Sequence, residues 1–460
     1  MRLREWISSR RALLVAFALT LPLVTPRIRG ADEIEYFSYL PSIVFDRDLS
    51  FGNEYRHFYE RDPAGLAGFK ETFLDLREPV TGRHINFAPL GSALLWSPFY
   101  LGAHAGVVAA RALGSDVPAD GYSLPYAAAA CYASALYAFA GLLLVHGVLR
   151  RHGGVPEPAA TLSVLGLWFG TPVLYYMTIA PAFSHSCSLF AVALVVSLTL
   201  REDERRGDGV LPWALLGAGC GLAGLVREQD VLIGVLPGGL LASRLLRERR
   251  LSVALRQALA LAAGAALVFL PQLLAYRALN GGFGPSRMVA RKMSWSSPHF
   301  LEVLLDPGHG LFLWTPLLLV AAVGLAAAVA RRDPPRSLPW LALALLLQVW
   351  INGAVESWSQ AGAFGSRRFV GATPIFAFGL AGVVAAGIRR FGTRLPALAV
   401  ALCVWWNLSL MVQFGLNIMD RQRLRWPEVA RAQLTEVPQR LGGAAWLFFT
   451  DRERLVREVP

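Results

Sequence analysis

The sequence is poor in charge. Asp, Glu, Lys and Arg make up 17% of its 460 residues, whereas 55% are hydrophobic and the mean hydropathy is +0.44. Soluble domains carry about 25% charged residues. Apolar runs of about 20 residues, the length that crosses a bilayer, recur along most of the chain. These features exclude an ordinary soluble protein and predict an all-α polytopic membrane protein.

Cysteine, lysine and the motifs of soluble enzymes are also scarce. The four cysteines lie in apolar runs without paired spacing, which excludes a disulfide framework or a zinc motif: Cys131, Cys187, Cys220 and Cys403. No phosphate-binding loop, HExxH or Gly-x-Ser-x-Gly motif is present. The net charge of +12 comes from arginines at the ends of apolar runs. This pattern is typical of membrane topology and disfavours nucleic-acid binding.

About eleven transmembrane helices are predicted from the apolar runs. Several runs are shorter than about 20 residues, so some helices are expected to be tilted or broken. The predicted spans are residues 10–26, 123–148, 158–176, 185–200, 210–226, 231–246, 253–276, 311–330, 337–355, 368–388 and 394–416.

A further apolar segment, residues 88–112, decides the topology. If it spans, the arginine clusters at 201–206 and 244–250 fall outside, against the positive-inside rule. If it lies along the outer surface, 20 of the 44 basic residues fall inside with the N-terminus. The second arrangement is therefore predicted, with residues 88–112 forming an interfacial helix or a re-entrant hairpin.

This topology defines the parts of the chain. Residues 1–416 are predicted to form one transmembrane domain. Residues 27–122 form its large first outer loop with interfacial helices, and residues 417–460 form a C-terminal tail on the same outer face. Shorter outer connections are expected at 177–184, 227–230, 277–310 and 356–367.

Two polar groups on the predicted outer face are candidates for chemistry. Asp32 and Glu33 follow the first helix, where a carboxylate can act as a general base at the membrane surface or simply edge a solvated loop. Arg227 lies in a polar turn that interrupts the apolar stretch from Leu211 to Leu246. It suits a lipid phosphate, or it pairs with a neighbouring carboxylate in a plain hairpin.

Other outer residues give weaker signals. His185 could donate to a substrate, although a lone histidine is more often structural. Arg367 and Arg368 open a span on the outer side, which indicates either a nearby anion or an exposed loop end. Asp46 and Asp48 have an Asp-x-Asp spacing that some nucleotide-sugar enzymes use for a metal, but such short patterns are common by chance.

The layout resembles the membrane glycosyltransferases of the GT-C fold, such as the protein mannosyltransferases and the aminoarabinose transferases of lipid A. A first helix leads to an outer loop that starts with Asp32-Glu33. The stretch from His84 to Gly91 is similar to the family's Lys-Pro-Pro stretch, and a histidine loop and a basic hairpin follow at His185 and Arg227. The resemblance covers residues 1 to about 280, and the remainder only by hydropathy.

The resemblance implies a sugar donor on a polyprenyl phosphate and a glycan, lipid or protein acceptor, without nucleic acid. Asp32 would be the general base, with Glu33 as its helper, and Arg227 would hold the phosphate with Arg367 or Arg368. His84 is the basic group nearest to the family's lysine position, and His185 replaces an acidic residue of the family. No cofactor is implied with certainty, and a divalent metal stays open. The expected location is a bacterial cytoplasmic membrane, with the N-terminus in the cytoplasm and membrane lipid as surroundings.

Three other functions fit the hydropathy. A secondary transporter has a similar helix count but usually places its polar site near the bilayer midplane. A lipid-linked sugar flippase or polymerase would share the basic outer cavity, and a scaffold would keep the fold without activity. The large outer loop and the clustering of polar groups at one surface favour the transferase.

Overall fold

The computed structural model describes residues 10–205, 207–296, 298–452 and 454–455. Regular structure in these residues is helical, apart from one isolated bridge between Arg77 and His84. The predicted all-α class is confirmed. Arg2 and Arg4 of the basic N-terminus, and Arg206 of an inner cluster, lie outside the described residues.

Twenty α-helices follow one another along the described chain. The first ten are α1 Arg10–Thr20, α2 Ala31–Pro41, α3 Gly52–Tyr59, α4 Gly91–Ala112, α5 Leu124–Arg151, α6 Glu157–Phe169, α7 Val173–Thr178, α8 His185–Arg205, α9 Leu211–Val226 and α10 Val235–Glu248. The others are α11 Leu251–Asn280, α12 Arg287–Arg291, α13 Phe300–Leu305, α14 Leu311–Trp314, α15 Pro316–Val329, α16 Ser337–Ala354, α17 Thr373–Phe391, α18 Arg394–Gly415, α19 Trp426–Leu434 and α20 Glu436–Thr450.

Each of the eleven predicted spans corresponds to helix, and two of them are broken. The span at 158–176 is divided between α6 and α7 just before Val173, and the span at 311–330 is divided between α14 and α15 at Thr315. A proline follows or lies within each break, at Pro172 and Pro316, where it removes a backbone donor from the helix. By length and composition, eight helices in the described residues can cross a membrane, and two shorter apolar helices accompany them.

One of the eight is α4, which covers most of the segment 88–112 that is predicted to be an interfacial helix or a re-entrant hairpin. It is a single continuous helix, so the re-entrant hairpin alternative is wrong. The segments before and after it meet the same short helix, α3. The Tyr55 hydroxyl donates to the Ile85 carbonyl at 2.9 Å, and the His57 ring stacks on Tyr122 at 4.1 Å.

Tyr122 lies ten residues after the end of α4, and the Tyr100 hydroxyl in the middle of that helix donates to the Gly121 carbonyl at 2.9 Å. The chain after α4 therefore folds back along the helix. The interfacial position of α4 stays a prediction. The membrane face that carries residues 27–122 is called the loop face below.

The described chain divides into two compact units, which are considered separately. The first consists of the residues up to Pro22, Leu142–Tyr175 and Ser294 onward, and the second of Leu23–Gly141 and Tyr176–Met293. In the second unit, α9 and α11 pack along a glycine seam. A Cβ atom on Gly217 would lie 1.9 Å from the Leu261 carbonyl oxygen, and one on Gly264 would lie 2.1 Å from that of Ala214. Small residues of this kind let membrane helices approach closely.

The first unit carries the C-terminal tail on its membrane helices. The Trp426 ring stacks on Trp406 of α18 at 4.9 Å, and Gln413 of the same helix donates to the Val429 carbonyl. Beyond α20, Arg452 donates to the Pro22 carbonyl at 2.6 Å. The tail therefore lies beside the end of α1 that leads into the first loop.

Candidate active site

Helix α2 presents an acidic and phenolic face. Asp32, Glu35, Tyr36 and Tyr39 are spaced i, i+3, i+4 and i+7, so their side chains share one side of the helix. Asp32 is half-buried and the other three are buried. Burial raises the pKa of both Glu35 and Tyr36, and the nearby Asp32 carboxylate raises both further. This face combines a partly accessible carboxylate with buried polar neighbours.

Arg227 lies where α9 ends and a short 3₁₀ helix, Glu228–Gly234, begins. Its backbone is extended there, which separates the two helices. One guanidinium nitrogen donates to Ser184 Oγ and lies 3.1 Å from His185 Nδ1, while the other donates to Gln229 Oε1 at 3.2 Å. Nε is buried without a hydrogen-bond partner, although the side chain as a whole is only half-buried. The guanidinium is thus fixed in direction and still partly open.

A hydroxyl chain joins Arg227 to α2. Ser184 Oγ donates to the Tyr36 hydroxyl at 2.9 Å, and the same Oγ accepts from Arg227 at 3.1 Å. Burial raises the pKa of Tyr36 to about 12, although Arg227 acts in the opposite direction, so the phenol stays neutral near pH 7. Because Asp32 is one turn from Tyr36, the predicted base and the predicted phosphate ligand come to one region of the second unit.

The acidic neighbours of Arg227 have hydroxyl partners. The Ser188 hydroxyl donates to Asp230 at 2.5 Å, and the Tyr276 hydroxyl donates to Glu228. Asp230 is almost fully buried. These hydrogen bonds hold the residues that follow Arg227 in place, while the Arg227 side chain contacts Ser184, His185 and Gln229.

Glu33 is on another side of α2 and closes the start of the helix. Its Oε2 atom accepts from the backbone N–H groups of Arg29 and Gly30, each at 2.9 Å. Burial raises its pKa to about 7, because desolvation outweighs these two donors. The contacts give Glu33 a structural task at the helix terminus, and the helper role in catalysis stays a prediction.

Two substitutions of Glu33 should separate capping from charge. Glu33→Ala removes the acceptor and should destabilise the protein by about 1 kcal/mol, whereas Glu33→Gln keeps an acceptor oxygen and should be much milder. Because the pKa of Glu33 is higher in the folded state than its ordinary value of 4.5, protonation of Glu33 stabilises the folded state. This contribution is complete below pH 4.5 and is lost as the pH rises through about 7. Thermal unfolding of both variants against pH checks this. Equal stability of Glu33→Ala and wild type would contradict the capping role.

His185 is buried against aromatic rings and Arg227. Its ring stacks on Phe183 at 5.6 Å and meets Tyr176 edge-on at 4.6 Å. If Nδ1 accepts the Arg227 N–H, the histidine is neutral with its proton on Nε2. This contact orients the arginine, and direct substrate binding by His185 stays a prediction.

His84 lies in a different part of the first loop. It forms the bridge with Arg77, and its ring lies 6.1 Å from Tyr55 of α3. Burial lowers its pKa, and Arg77 and Arg56 lower it further, so a neutral imidazole is expected near pH 7. A neutral His84 would not supply the positive charge of the lysine that the family has near this position.

Glu35 and Lys292 are further functional candidates, which the structure brings close to each other. Glu35 accepts from the Phe87 backbone N–H at 2.5 Å, which holds the stretch from His84 to Gly91 against α2. Burial raises the pKa of Glu35 well above its ordinary range, Asp32 raises it further, and the Phe87 N–H and Lys292 lower it. Lys292 Nζ lies 5.3 Å from the centre of the Phe87 ring.

Arg367 and Arg368 belong to the first unit. The Arg368 guanidinium donates to the Ser357 carbonyl and hydroxyl at 3.1 and 2.8 Å, and the Arg367 backbone N–H donates to Gly365. They begin a short 3₁₀ helix that leads into α17. A role for either residue at the donor phosphate stays a prediction.

The Asp-x-Asp pattern gains no metal site. Asn53 donates to Asp46 at 2.7 Å, and Ser42 donates to Asp48 at 3.0 Å. Across the described ranges, no group of three or more His, Cys, Asp or Glu side chains is arranged to hold a metal ion. The open question of a divalent metal therefore has no candidate ligand set in this part of the chain.

The chain matches a known protein by structure and not by sequence. No protein-family model matches the chain, and no curated protein matches it. A crystal structure of ArnT from Cupriavidus metallidurans, bound to undecaprenyl phosphate, does match, with a TM-score of 0.52 and 15% sequence identity. The chain is similar to ArnT over 98% of its length. The match covers 72% of ArnT, and at this identity it concerns the fold.

ArnT is a GT-C glycosyltransferase, so the predicted GT-C-like fold is confirmed. The similarity extends beyond residue 280, where the sequence offered only hydropathy. It does not assign a role to any side chain. Those roles depend on the contacts around Asp32 and Arg227 described above.

Proposed function

We propose that this chain is a membrane glycosyltransferase that moves a sugar from a polyprenyl-phosphate donor to an acceptor at the loop face. The observation that carries the proposal is the half-buried Arg227, linked through Ser184 and Tyr36 to the helix that presents Asp32. Carboxylate and cation are the two groups that displacement at a sugar carbon requires. ArnT, which has this fold, was crystallised with undecaprenyl phosphate.

Each group has a defined part in the proposed step. An acceptor hydroxyl gives its proton to the Asp32 carboxylate while its oxygen forms a bond to the anomeric carbon of the sugar. The bond from that carbon to the phosphate oxygen breaks, and its electron pair stays on the polyprenyl phosphate. Arg227 stabilises the charge on this leaving group through charge-assisted hydrogen bonds.

Lys292 is proposed as a second cation for the phosphate. Where the GT-C family has a stretch that begins with lysine, this chain has Asn86-Phe87-Ala88. Lys292, from a distant part of the sequence, lies over the Phe87 ring. Its side chain is exposed, so its ammonium group is accessible. It is also near enough to Glu35 to lower the pKa of that carboxyl group.

Substitution of the two lysines gives a matched test. Lys292→Met should raise the KM for the donor about tenfold, which corresponds to ~1.4 kcal/mol, because one phosphate contact is lost. Lys70→Met is the control, since Lys70 is the chain's only other lysine and pairs with Asp75. Donor titrations in proteoliposomes check the prediction. An unchanged KM in Lys292→Met would remove this residue from the phosphate site.

The proposed setting is a bacterial cytoplasmic membrane with the N-terminus inside and the loop face outside. This orientation places the arginine-rich helix ends in the cytoplasm. A lipid-phosphate donor cannot leave the bilayer, so the base must act at the membrane surface. The acceptor is a glycan, a lipid or a protein.

Transfer assays with purified protein in liposomes test the proposed class. Polyprenyl-phosphate donors with different labelled sugars are incubated with membrane extracts as acceptor sources. A transferase moves label out of the lipid-linked fraction, while a flippase moves the intact lipid-linked sugar across the bilayer. Movement of the intact lipid without sugar transfer, or uptake of a soluble solute alone, would overturn the proposal.

A further inference from the structure

Helix α20, Glu436–Thr450, has three distinct sides. Val437, Ala444 and Phe448 share one side and pack on the protein, where Val437 is 1% exposed. A second side is polar, with Glu436 and Arg440 one turn apart as an ion pair at 3.4 Å.

The third side of α20 is apolar and uncovered in the monomer. Trp446 and Phe449 are 69% and 59% exposed, and Leu441 is 40% exposed. Pro438 and Ala445 complete this apolar side. Helices that are surrounded only by water and their own protein rarely expose an apolar side of this size.

The position of α20 indicates which environment surrounds its apolar side. Its end is tied to α1, since Arg452 donates to the Phe448 carbonyl at 2.8 Å and to the Pro22 carbonyl at 2.6 Å. The preceding helix α19 begins beside Trp406, which is nine residues, or about 13 Å, before the end of the candidate span α18. The tail thus folds back along a membrane helix and lies near the bilayer boundary.

We propose that α20 lies in the surface of the bilayer beside the end of α1, with Leu441, Trp446 and Phe449 among the lipids. The three sides then match the three environments of such a helix: protein, lipid and water. Tryptophan and phenylalanine suit the boundary between headgroups and acyl chains. The proposal is independent of the transfer reaction, because it depends only on the tail and its membrane helices.

Spin labels on two sides of α20 test the proposal in liposomes of phosphatidylcholine and phosphatidylglycerol. The background is full-length protein with Cys403→Ser, because Cys403 is the one native cysteine that is not buried. A label at Trp446→Cys should collide more with oxygen, which concentrates in lipid, than with a water-soluble nickel chelate. A label at Arg440→Cys, about 120° around the helix from Trp446, should show the reverse order.

The other outcomes each overturn the proposal. Equal access of the nickel chelate to both labels would place the apolar side in water. Shielding of the Trp446→Cys label from both reagents, or dipolar broadening between labels, would indicate cover by protein or by a second copy of the chain. Phe449→Cys on the same side gives a second reading, and thermal unfolding shows whether each variant folds.

Discussion

Asp32→Asn is expected to lower sugar transfer by about 100- to 10,000-fold, the range that general-base catalysis supplies. The amide is similar in size to the carboxylate but cannot take a proton from the acceptor hydroxyl. Donor binding should change little, because Arg227 and Lys292 are intact. Initial rates in proteoliposomes, together with donor binding followed by thermal shift, measure both effects.

The matched control for this variant is Asp116→Asn. Asp116 is an exposed aspartate in the same first loop, so the change in charge is identical. It should leave transfer unchanged. If Asp32→Asn is inserted, abundant and as active as wild type, Asp32 has no part in the reaction.

Arg227→Gln is expected to lower transfer by about 100- to 1,000-fold, as loss of a donor to a developing negative charge does. Unlike Asp32→Asn, it should also weaken the binding of polyprenyl phosphate, since the guanidinium would contact the phosphate before and after the reaction. Arg227→Lys should recover part of the loss, because it restores charge without the fork of donors. Transfer rates and polyprenyl-phosphate titrations distinguish the three proteins.

Arg277→Gln provides the control for this second change. Arg277 is an exposed arginine near the end of α11, and it donates to the Gly281 carbonyl. Wild-type rates are expected for it. Normal donor affinity in a folded Arg227→Gln variant would show that the phosphate is held elsewhere.

The membrane helices could be predicted because apolar length alone specifies them. The run at 123–148 became α5 and the run at 253–276 became α11, each extended by a few residues. The breaks within 158–176 and 311–330 were harder to place. A proline such as Pro172 or Pro316 can also kink a helix or open one, and hydropathy does not distinguish these outcomes.

Part of the candidate site could also be predicted, for a specific reason. Arg227 stood out because charge interrupts an apolar stretch, where it is costly. The position of Lys292 beside Phe87 and Glu35 could not be predicted. The contact between Phe87 and Lys292 joins positions some 200 residues apart, and no local pattern specifies it. The charge of Glu33 makes it a candidate from the sequence alone, but its hydrogen bonds to the backbone of Arg29 and Gly30 give it a structural role.

The most direct test of the central claim is the stoichiometry of the reaction in liposomes. A polyprenyl-phosphate donor with label in both sugar and lipid is incubated with wild-type protein and acceptor, and both products are counted. The proposed mechanism predicts one free polyprenyl phosphate for each sugar transferred. Sugar that stays attached to its lipid on either side of the bilayer, without release of polyprenyl phosphate, would contradict it.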